Sequence, residues 1–226
     1  MIPELNIWEH SGALKQLCYR RGLDLEPEMD CAAQGAELLA PFINGQKSKR
    51  LKLLDIGCAG GHFYHSLNRR NLEVDYHGLD YSPSIVKMAQ KAFQELGLEP
   101  SKILLGDLRD LINFSCDLVA MINVLTFNGD FREPLDRLAE TGAQAMVIRD
   151  FFGPKTIITY ERDGFLDEGF NHLKGYWNQW SRSEVSAYLT SLGYKSSFVT
   201  DARTQGQTEL VVNKAYRWSW LVAEKI

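Results

Sequence analysis

From residue 51 onward, short apolar runs alternate with longer amphipathic stretches, and few folds accommodate this alternation. Short dense apolar runs are typical of buried strands, and amphipathic stretches of ten or more residues are typical of helices. Strands that alternate with helices build an α/β domain, in which a parallel sheet is covered by helices on both faces. The apolar runs cover residues 51–57, 74–80, 102–107, 116–125 and 145–151, and the helical stretches cover 61–70, 83–97 and 131–140.

The 226 residues, of which 45% are hydrophobic, fit one domain with embellishments, so we expect a single domain over 1–226. Past the fifth run the chain is rich in aromatic residues and glycines without clean periodicity. Ser181 and Glu184 then form the pattern of a capping box, which predicts the start of a helix. The predicted parts are an N-terminal helical cap (1–50), a cofactor-binding core (51–150), an aromatic substrate-recognition insert (151–180), and a C-terminal helix with strands (181–226).

Charge and cysteine usage narrow the possible partners. The net charge is −4 and basic residues cluster only at 47–50, so we expect neither a nucleic acid nor an anionic membrane as partner. The N-terminus has no continuous apolar run, which argues against a signal peptide or a membrane anchor. The four cysteines form no CxxC pair and the histidines have no ligand spacing with them. The sequence therefore predicts reduced thiols, a cytoplasmic location and no metal site.

The carboxyl ends of the predicted strands locate a candidate ligand site. Small molecules bind beyond these ends in open α/β sheets, where the strand order reverses. Four of the five runs place a carboxylate at or near their end, and the fourth run carries an asparagine. The residues concerned are Asp55 with Gly57, Asp80, Asp107, Asn123 and Asp150.

The loop after the first run has the composition of a nucleotide-cofactor loop. Asp55 is followed by Gly57, Gly60 and Gly61 and then by a predicted helix, whose N-terminus would favour a phosphate or a carboxylate. A dinucleotide fingerprint requires glycine at two further positions, which are alanine and histidine here. An acid two residues before the first glycine suits a ligand that carries an ammonium and a sulfonium, which is S-adenosylmethionine.

With this loop, the chain resembles the class I (Rossmann-like) S-adenosylmethionine-dependent methyltransferases over roughly residues 50–150. The first motif of that family has an acid followed by three alternating glycines. "DIGCAGG" matches it at Asp55, Gly57 and Gly61, with Ala59 in place of the middle glycine. The resemblance implies a doubly wound, mostly parallel seven-stranded sheet, S-adenosylmethionine as cofactor, and methyl transfer as the activity.

The resemblance also implies roles for residues at the other strand ends. Asp80 would bind the ribose hydroxyls, Asp107 would lie near the adenine amino group, and Asn123 would line the methionine part of the cofactor. The full predicted cofactor-binding set is Asp55, Gly57, Cys58, Ala59, Gly61, Asp80, Tyr81, Ser82, Asp107, Leu108 and Asn123.

The chemistry of methyl transfer suggests two catalytic candidates. The displacement at sulfur needs a nucleophile held in line and a site without water. A hydroxyl acceptor must also lose a proton to a base, whereas an amine or a thiol needs none. The candidate bases are Asp150, at the end of the fifth run, and His172, in the aromatic insert.

The aromatic insert favours a small-molecule acceptor, since aromatic faces suit a sugar ring or a flat heterocycle. We therefore expect methyl transfer to a hydroxyl of a saccharide or natural product by a monomer or homodimer. The open alternatives are an N-methyltransferase or a protein methyltransferase on the same fold, and a non-catalytic protein that binds a nucleotide cofactor. A nicotinamide-dependent oxidoreductase is disfavoured by Ala59, by His62 and by the lack of a Tyr-x-x-x-Lys dyad.

Overall fold

The computed structural model describes residues 7–46, 49–111, 114–162, 164 and 166–226. The remaining positions, which fall in the predicted cap, core and insert, lie outside the described residues. The helices are α1 (Gly12–Gly22), α2 (Asp30–Asn44), α3 (Phe63–Arg69), α4 (Pro83–Glu95), α5 (Arg132–Glu140) and α6 (Arg182–Ser191). The strands are β1 (Leu51–Ile56), β2 (Val74–Asp80), β3 (Ile103–Leu105), β4 (Leu118–Ile122), β5 (Ala145–Gly153), β6 (Tyr160–Arg162), β7 (Lys174–Tyr176), β8 (Trp180–Ser181), β9 (Tyr194–Thr200), β10 (Thr208–Val211) and β11 (Lys214–Lys225).

Seven strands form one row in the order β3-β2-β1-β4-β5-β11-β9. The strands from β3 to β5 are parallel to their neighbours, and β11 runs antiparallel between β5 and β9. This row confirms the doubly wound, mostly parallel seven-stranded sheet. The short strands β8 and β10 extend it, giving nine strands among the described residues. Because β1 pairs with both β2 and β4, the strand order reverses beside β1, and this places the ligand crevice there.

The two faces of the sheet are covered by different helices. Leu53 and Val147 face a core that contains α2, α3 and α4, whereas Leu54 and Ile148 face a core that contains α5 and α6. All four of these side chains are completely buried. Strands buried on both faces explain why the sequence shows dense apolar runs instead of an alternation of polar and apolar residues.

The helix boundaries follow from local chemistry. The Ser181 hydroxyl accepts the Glu184 amide at the start of α6, as the capping-box pattern predicts. Pro83 occupies the first turn of α4, where a missing amide hydrogen costs nothing. Gly97 follows the same helix with a φ of +70°, a conformation that favours glycine. None of the helices in the described ranges is both long and apolar enough to cross a bilayer.

The N-terminal segment and the aromatic insert contact each other above the carboxyl edge of the sheet. A short 3-10 helix, Ile7–His10, precedes α1, and the His10 carbonyl accepts the Asp167 amide at 2.8 Å. The Asp167 carboxylate in turn accepts the Gly12 amide at 2.9 Å, and the His10 ring stacks on Phe170. The insert also contains the antiparallel pair β6–β7. We call Ile7–His10 together with residues 166–177 the cover.

Candidate cofactor and acceptor site

The glycine-containing loop is hydrogen-bonded to the end of β2. The amides of Gly57 and Cys58 both donate to the Leu79 carbonyl, at 2.8 and 3.1 Å. The Ala59 amide donates to Oδ2 of Asp80 at 3.0 Å. The predicted first motif and the predicted ribose-binding acid are therefore in direct contact at the point where the strand order reverses.

Packing within the protein requires the small residues of this loop. A Cβ at Gly60 would overlap the Cys18 carbonyl of α1, and one at Gly61 would lie 2.5 Å from the Phe93 ring of α4. The sequence predicts that these glycines belong to a nucleotide-cofactor loop, and the atoms nearest to an added Cβ at either position are protein atoms. Ala59 has a φ of +49°, a left-handed conformation that costs a non-glycine residue ~1–2 kcal/mol.

Asp80 has the geometry of a diol-binding carboxylate. Its Oδ1 accepts the Ser82 amide and its Oδ2 accepts the Ala59 amide, both at 3.0 Å. Each carboxylate oxygen has a second lone pair, so both oxygens keep acceptor capacity for the two ribose hydroxyls. Burial raises the pKa of Asp80 above its ordinary value, although three backbone hydrogen bonds oppose the shift.

Asp55, near the end of β1, is almost entirely buried. Its Oδ2 accepts the Tyr76 hydroxyl at 2.5 Å. Burial raises the pKa of Asp55 to about 7, helped by the charge of Asp80, while the Tyr76 hydroxyl opposes the shift. Two neighbouring acids with raised pKa values would be stabilised in their charged forms by a cation, and the ammonium and sulfonium of S-adenosylmethionine supply that charge.

Asp107 lies beside these acids but has a strong partner of its own. The Gly106 amide donates to the Asp80 carbonyl at 3.0 Å, which brings the chain after β3 alongside the end of β2. Oδ1 of Asp107 accepts Nε of Arg109 at 2.9 Å, and Nη2 of Arg109 contacts the other carboxylate oxygen. Burial acts to raise the pKa of Asp107, but the Arg109 contacts outweigh it and the pKa falls below its ordinary value.

The other predicted cofactor residues differ in what they present to the crevice. The side chains of Cys58 and Leu108 belong to the two apolar cores, so only their backbone groups remain available to a ligand. Ser82 is buried and is the N-cap residue of α4, and its hydroxyl donates to Glu9. Tyr81 is 43% exposed, so its ring is free to lie against an adenine.

Asn123 ends β4 in a left-handed conformation, with a φ of +59°. Its amide donates to the Arg149 carbonyl at 2.8 Å, and its side-chain oxygen accepts Nη1 of Arg149 at 2.5 Å. Nε of Arg149 donates to Oδ2 of Asp201 at 2.6 Å, in an ion pair in which both side chains are buried. A chain of contacts from Asp201 through Arg149 therefore fixes the side chain of Asn123.

The structure gives the two predicted bases very different surroundings. Asp150 is 0% exposed, and its oxygens accept the amides of Thr126 and Phe151 at 2.9 and 2.7 Å. Burial raises the pKa of Asp150 to about 7. These contacts hold the segment after β4 in place, so their geometry is typical of a residue that positions the backbone. His172 is an exposed residue of the cover. The surroundings of Asp150 and His172 do not show proton transfer, so the catalytic roles of both residues stay predictions.

Four contacts of the site involve residues that sequence reasoning missed. They are the Glu9 contact with Ser82, the Tyr76 contact with Asp55, the Arg109 contact with Asp107 and the Asp201 contact with Arg149. Only Asp107 and Arg109 are close in sequence, so of these four contacts theirs was the one that the sequence could have predicted. Among the described residues, no group of three His, Cys, Asp or Glu side chains is placed to hold a metal ion.

The family model for a methyltransferase domain matches residues 47–159, which is half of the chain. Among solved structures, magnesium protoporphyrin IX methyltransferase from Synechocystis with bound S-adenosylmethionine is 14% identical with a TM-score of 0.62, and both chains are covered completely. An S-adenosylmethionine-dependent methyltransferase from Clostridium acetobutylicum is 11% identical, with a TM-score of 0.59 and coverage of 93% of this chain and 97% of the other. The amino pentose methyltransferase CalS10 from Micromonospora echinaspora is 16% identical, with a TM-score of 0.56 and coverage of 86% and 92%.

A search of curated protein sequences found no match. The solved structures share the fold, and the family model covers the glycine loop and the ends of the first five strands. The acids at the ends of β1 and β2 fit the charge and the diol of the same cofactor. The chain therefore belongs to the class I S-adenosylmethionine-dependent methyltransferases.

Proposed function

We propose that the protein transfers a methyl group to a hydroxyl of a small molecule, a saccharide or a natural product. The observation that carries this proposal is an aromatic cluster near the carboxyl edge of the sheet, formed by Phe127, Phe151, Trp177, Tyr216 and Trp218, which the cover joins through Trp8 and Trp177. Phe151 stacks on Tyr216 with ring centroids 4.3 Å apart, and Phe127 contacts both Trp177 at 4.9 Å and Trp8 at 5.0 Å. Aromatic faces of this kind suit the apolar face of a sugar ring or a flat ring system.

The cover supports a role in excluding water. When bound, S-adenosylmethionine supplies an activated methyl group. The protein's own task is then to hold the acceptor oxygen in line and to keep competing water away. Trp8 of the cover packs edge-on against Phe127 of the aromatic cluster, and Glu9 ties the N-terminal segment to the first turn of α4 through the Ser84 amide at 3.0 Å.

A hydroxyl acceptor requires a base, and Asp150 and His172 remain the two proposed candidates. A pKa of about 7 suits Asp150 for proton transfer near neutral pH. Its two backbone hydrogen bonds support a positioning role for the Thr126 segment, so we give His172 the first test as base. If His172→Asn leaves the pH profile of kcat unchanged, and Asp150→Asn abolishes the fall of kcat at acidic pH, Asp150 becomes the first candidate for the base.

The alternatives differ in the acceptor. The structural neighbour named as an amino pentose methyltransferase acts on a nitrogen-bearing sugar, which supports a saccharide and also keeps an amine acceptor open. A protein methyltransferase and a non-catalytic cofactor-binding protein remain the other options. A cytoplasmic location is proposed on the four unpaired cysteines, and the monomeric or homodimeric state stays a prediction.

Transfer of a radiolabelled methyl group from S-adenosylmethionine tests the proposal. The acceptors are matched pairs of sugars and aromatic natural products, each offered as the hydroxyl and as the amino form, together with a protein extract. The proposal predicts label in hydroxyl-bearing small molecules and none with Asp80→Ala. Label confined to amines, or to protein, would replace it with the corresponding alternative, and cofactor binding without transfer would favour the non-catalytic reading.

A further inference from the structure

Two buried donors at the aromatic cluster have no acceptor among the residues that the structure describes. Arg149 is 2% exposed, and its Nη2 makes no hydrogen bond, although its Nε and Nη1 are paired. Trp177 is 8% exposed, and its Nε1 is also unpartnered. Both side chains touch the same cluster, since the Arg149 guanidinium lies 4.0 Å from the ring centroid of Trp218, which belongs to the cluster with Trp177.

The surrounding contacts explain why Nη2 of Arg149 is left over. A carboxylate usually binds an arginine through both oxygens. Only Oδ2 of Asp201 reaches Arg149, because its Oδ1 accepts the amide and the hydroxyl of Thr204, both at 3.0 Å. Asp201 and Asn123 therefore hold the guanidinium through Nε and Nη1, while both N–H groups of Nη2 remain unused.

Asn123 supplies a third hydrogen-bond donor, next to Arg149. Its side-chain oxygen is committed to Nη1 of Arg149, so the amide nitrogen is the end that remains available. Asn123 is half-buried and directly follows β4, and its partner Arg149 lies over the Trp218 ring of the aromatic cluster. The side chains that line this position thus offer N–H groups, and a ligand there must supply acceptor oxygens.

We propose that Arg149 and Asn123 bind a carboxylate of the acceptor, and that the ring system of the acceptor lies on the aromatic cluster. A carboxylate has only acceptor oxygens and matches the N–H donors of these two neighbouring side chains. Asp201 already balances the charge of Arg149, so a monoanion fits better than a doubly charged phosphate. This inference rests on the proposed function, and it narrows the substrate class to a carboxylate-bearing small molecule such as a uronic acid or an aromatic acid.

Ligand-detected NMR on the protein, with and without S-adenosylhomocysteine, tests the inference. The probes are glucuronate and benzoate, each compared with its neutral counterpart, glucose or benzamide. We expect the wild type to bind at least one carboxylate more tightly than its counterpart. Arg149→Met should weaken that binding by about tenfold or more, since it removes a charged hydrogen bond.

Two further variants keep the test independent of folding. Asn123→Asp preserves the contact with Nη1 of Arg149 but replaces the free amide nitrogen with a carboxylate oxygen, so it should also abolish the preference for carboxylates. Arg20→Met is the matched control, because Arg20 is exposed and pairs with Glu26, away from the aromatic cluster. Its binding of the probes should equal that of the wild type.

Unchanged carboxylate binding in Arg149→Met and Asn123→Asp would overturn the inference, as would the absence of any carboxylate preference in the wild type. A second arm compares S-adenosylhomocysteine with 5′-methylthioadenosine, which lacks the amino-acid part. If Arg149→Met weakened only the former, the carboxylate bound by Arg149 would be that of the cofactor, and the inference would also fail. Failure of the wild type to bind either nucleoside would overturn the proposed function instead.

Discussion

The buried ion pair between Arg149 and Asp201 gives the sharpest prediction about how the acceptor side of the site is built. The substitution Asp201→Asn leaves the shape of the side chain unchanged but removes its charge. It also leaves one acceptor oxygen where the carboxylate uses two, one for Nε of Arg149 and one for the amide and hydroxyl of Thr204. Either the guanidinium or the Thr204 pair then faces an NH₂ group.

The expected loss of stability follows from the burial of both partners. Arg149 is 2% exposed and Asp201 is 0% exposed, so solvent cannot compensate the guanidinium once its partner is neutral. Removal of one partner from a buried ion pair costs ~3–5 kcal/mol. For a domain of this size, each kcal/mol lowers Tm by about 2–4 °C, so we expect a fall of about 6–20 °C.

Thermal and urea unfolding of both proteins measure this loss. The matched control is Glu224→Gln, which breaks the ion pair with Lys195. The side chains of Glu224 and Lys195 are 44% and 66% exposed, so this substitution should change the free energy of unfolding by less than about 1 kcal/mol. The difference in the free energy of unfolding between the wild type and Asp201→Asn should shrink in acid. Burial acts to raise the pKa of Asp201, but the Arg149 contacts hold it below its ordinary value, so acid removes the stability that the charged carboxylate contributes. If Asp201→Asn were as mild as the control, the account of Arg149 as a rigidly held donor would be wrong.

Two further predictions concern Asp150 and the cover. Burial raises the pKa of Asp150 to about 7, so its contribution to stability is fully present below about pH 4 and is lost as the pH rises through about 7. Asp150→Asn should therefore reduce the decline in the free energy of unfolding between about pH 4 and pH 7 by up to ~4 kcal/mol. The same decline in the wild type and the variant would refute the raised pKa. Glu9→Gln should loosen the N-terminal segment from Ser82 and Ser84 and speed proteolysis at Ile7–His10. Glu26→Gln, which alters a pair with Arg20 in the cap, is its control, and equal cleavage of the two variants would contradict the role of Glu9.

The parts of the fold that depend on local periodicity were predictable. Residues 74–80 form a strand with the predicted bounds, since a dense apolar run between turn residues is sufficient to define it. The run 116–125 was predicted too long, because the left-handed conformation of Asn123 ends the strand at Ile122. The doubly wound, mostly parallel sheet followed from the resemblance, whereas the short strands β8 and β10 have no periodic signal.

The contacts between side chains were not predictable, for a physical reason. Asp201 lies 52 residues from Arg149, and Glu9 lies 73 residues from Ser82, so no local pattern records either pair. The acids at the ends of β1 and β2 were predictable because parallel strands bring their carboxyl ends to one edge. Their partners come from packing between distant segments, and packing is what buries Asp55 and Asp80 and raises their pKa values.

We propose that the crevice beside β1 binds S-adenosylmethionine through Asp80. Calorimetric titration with S-adenosylhomocysteine and with NADH, on the wild type, on Asp80→Ala and on the exposed control Asp110→Ala, tests this claim most directly. We predict tight binding of S-adenosylhomocysteine and none of NADH. Asp80→Ala should weaken the affinity by about tenfold or more while the control leaves it unchanged, since two hydroxyl contacts are lost. Equal affinities in all three proteins, or a preference for NADH, would contradict the account.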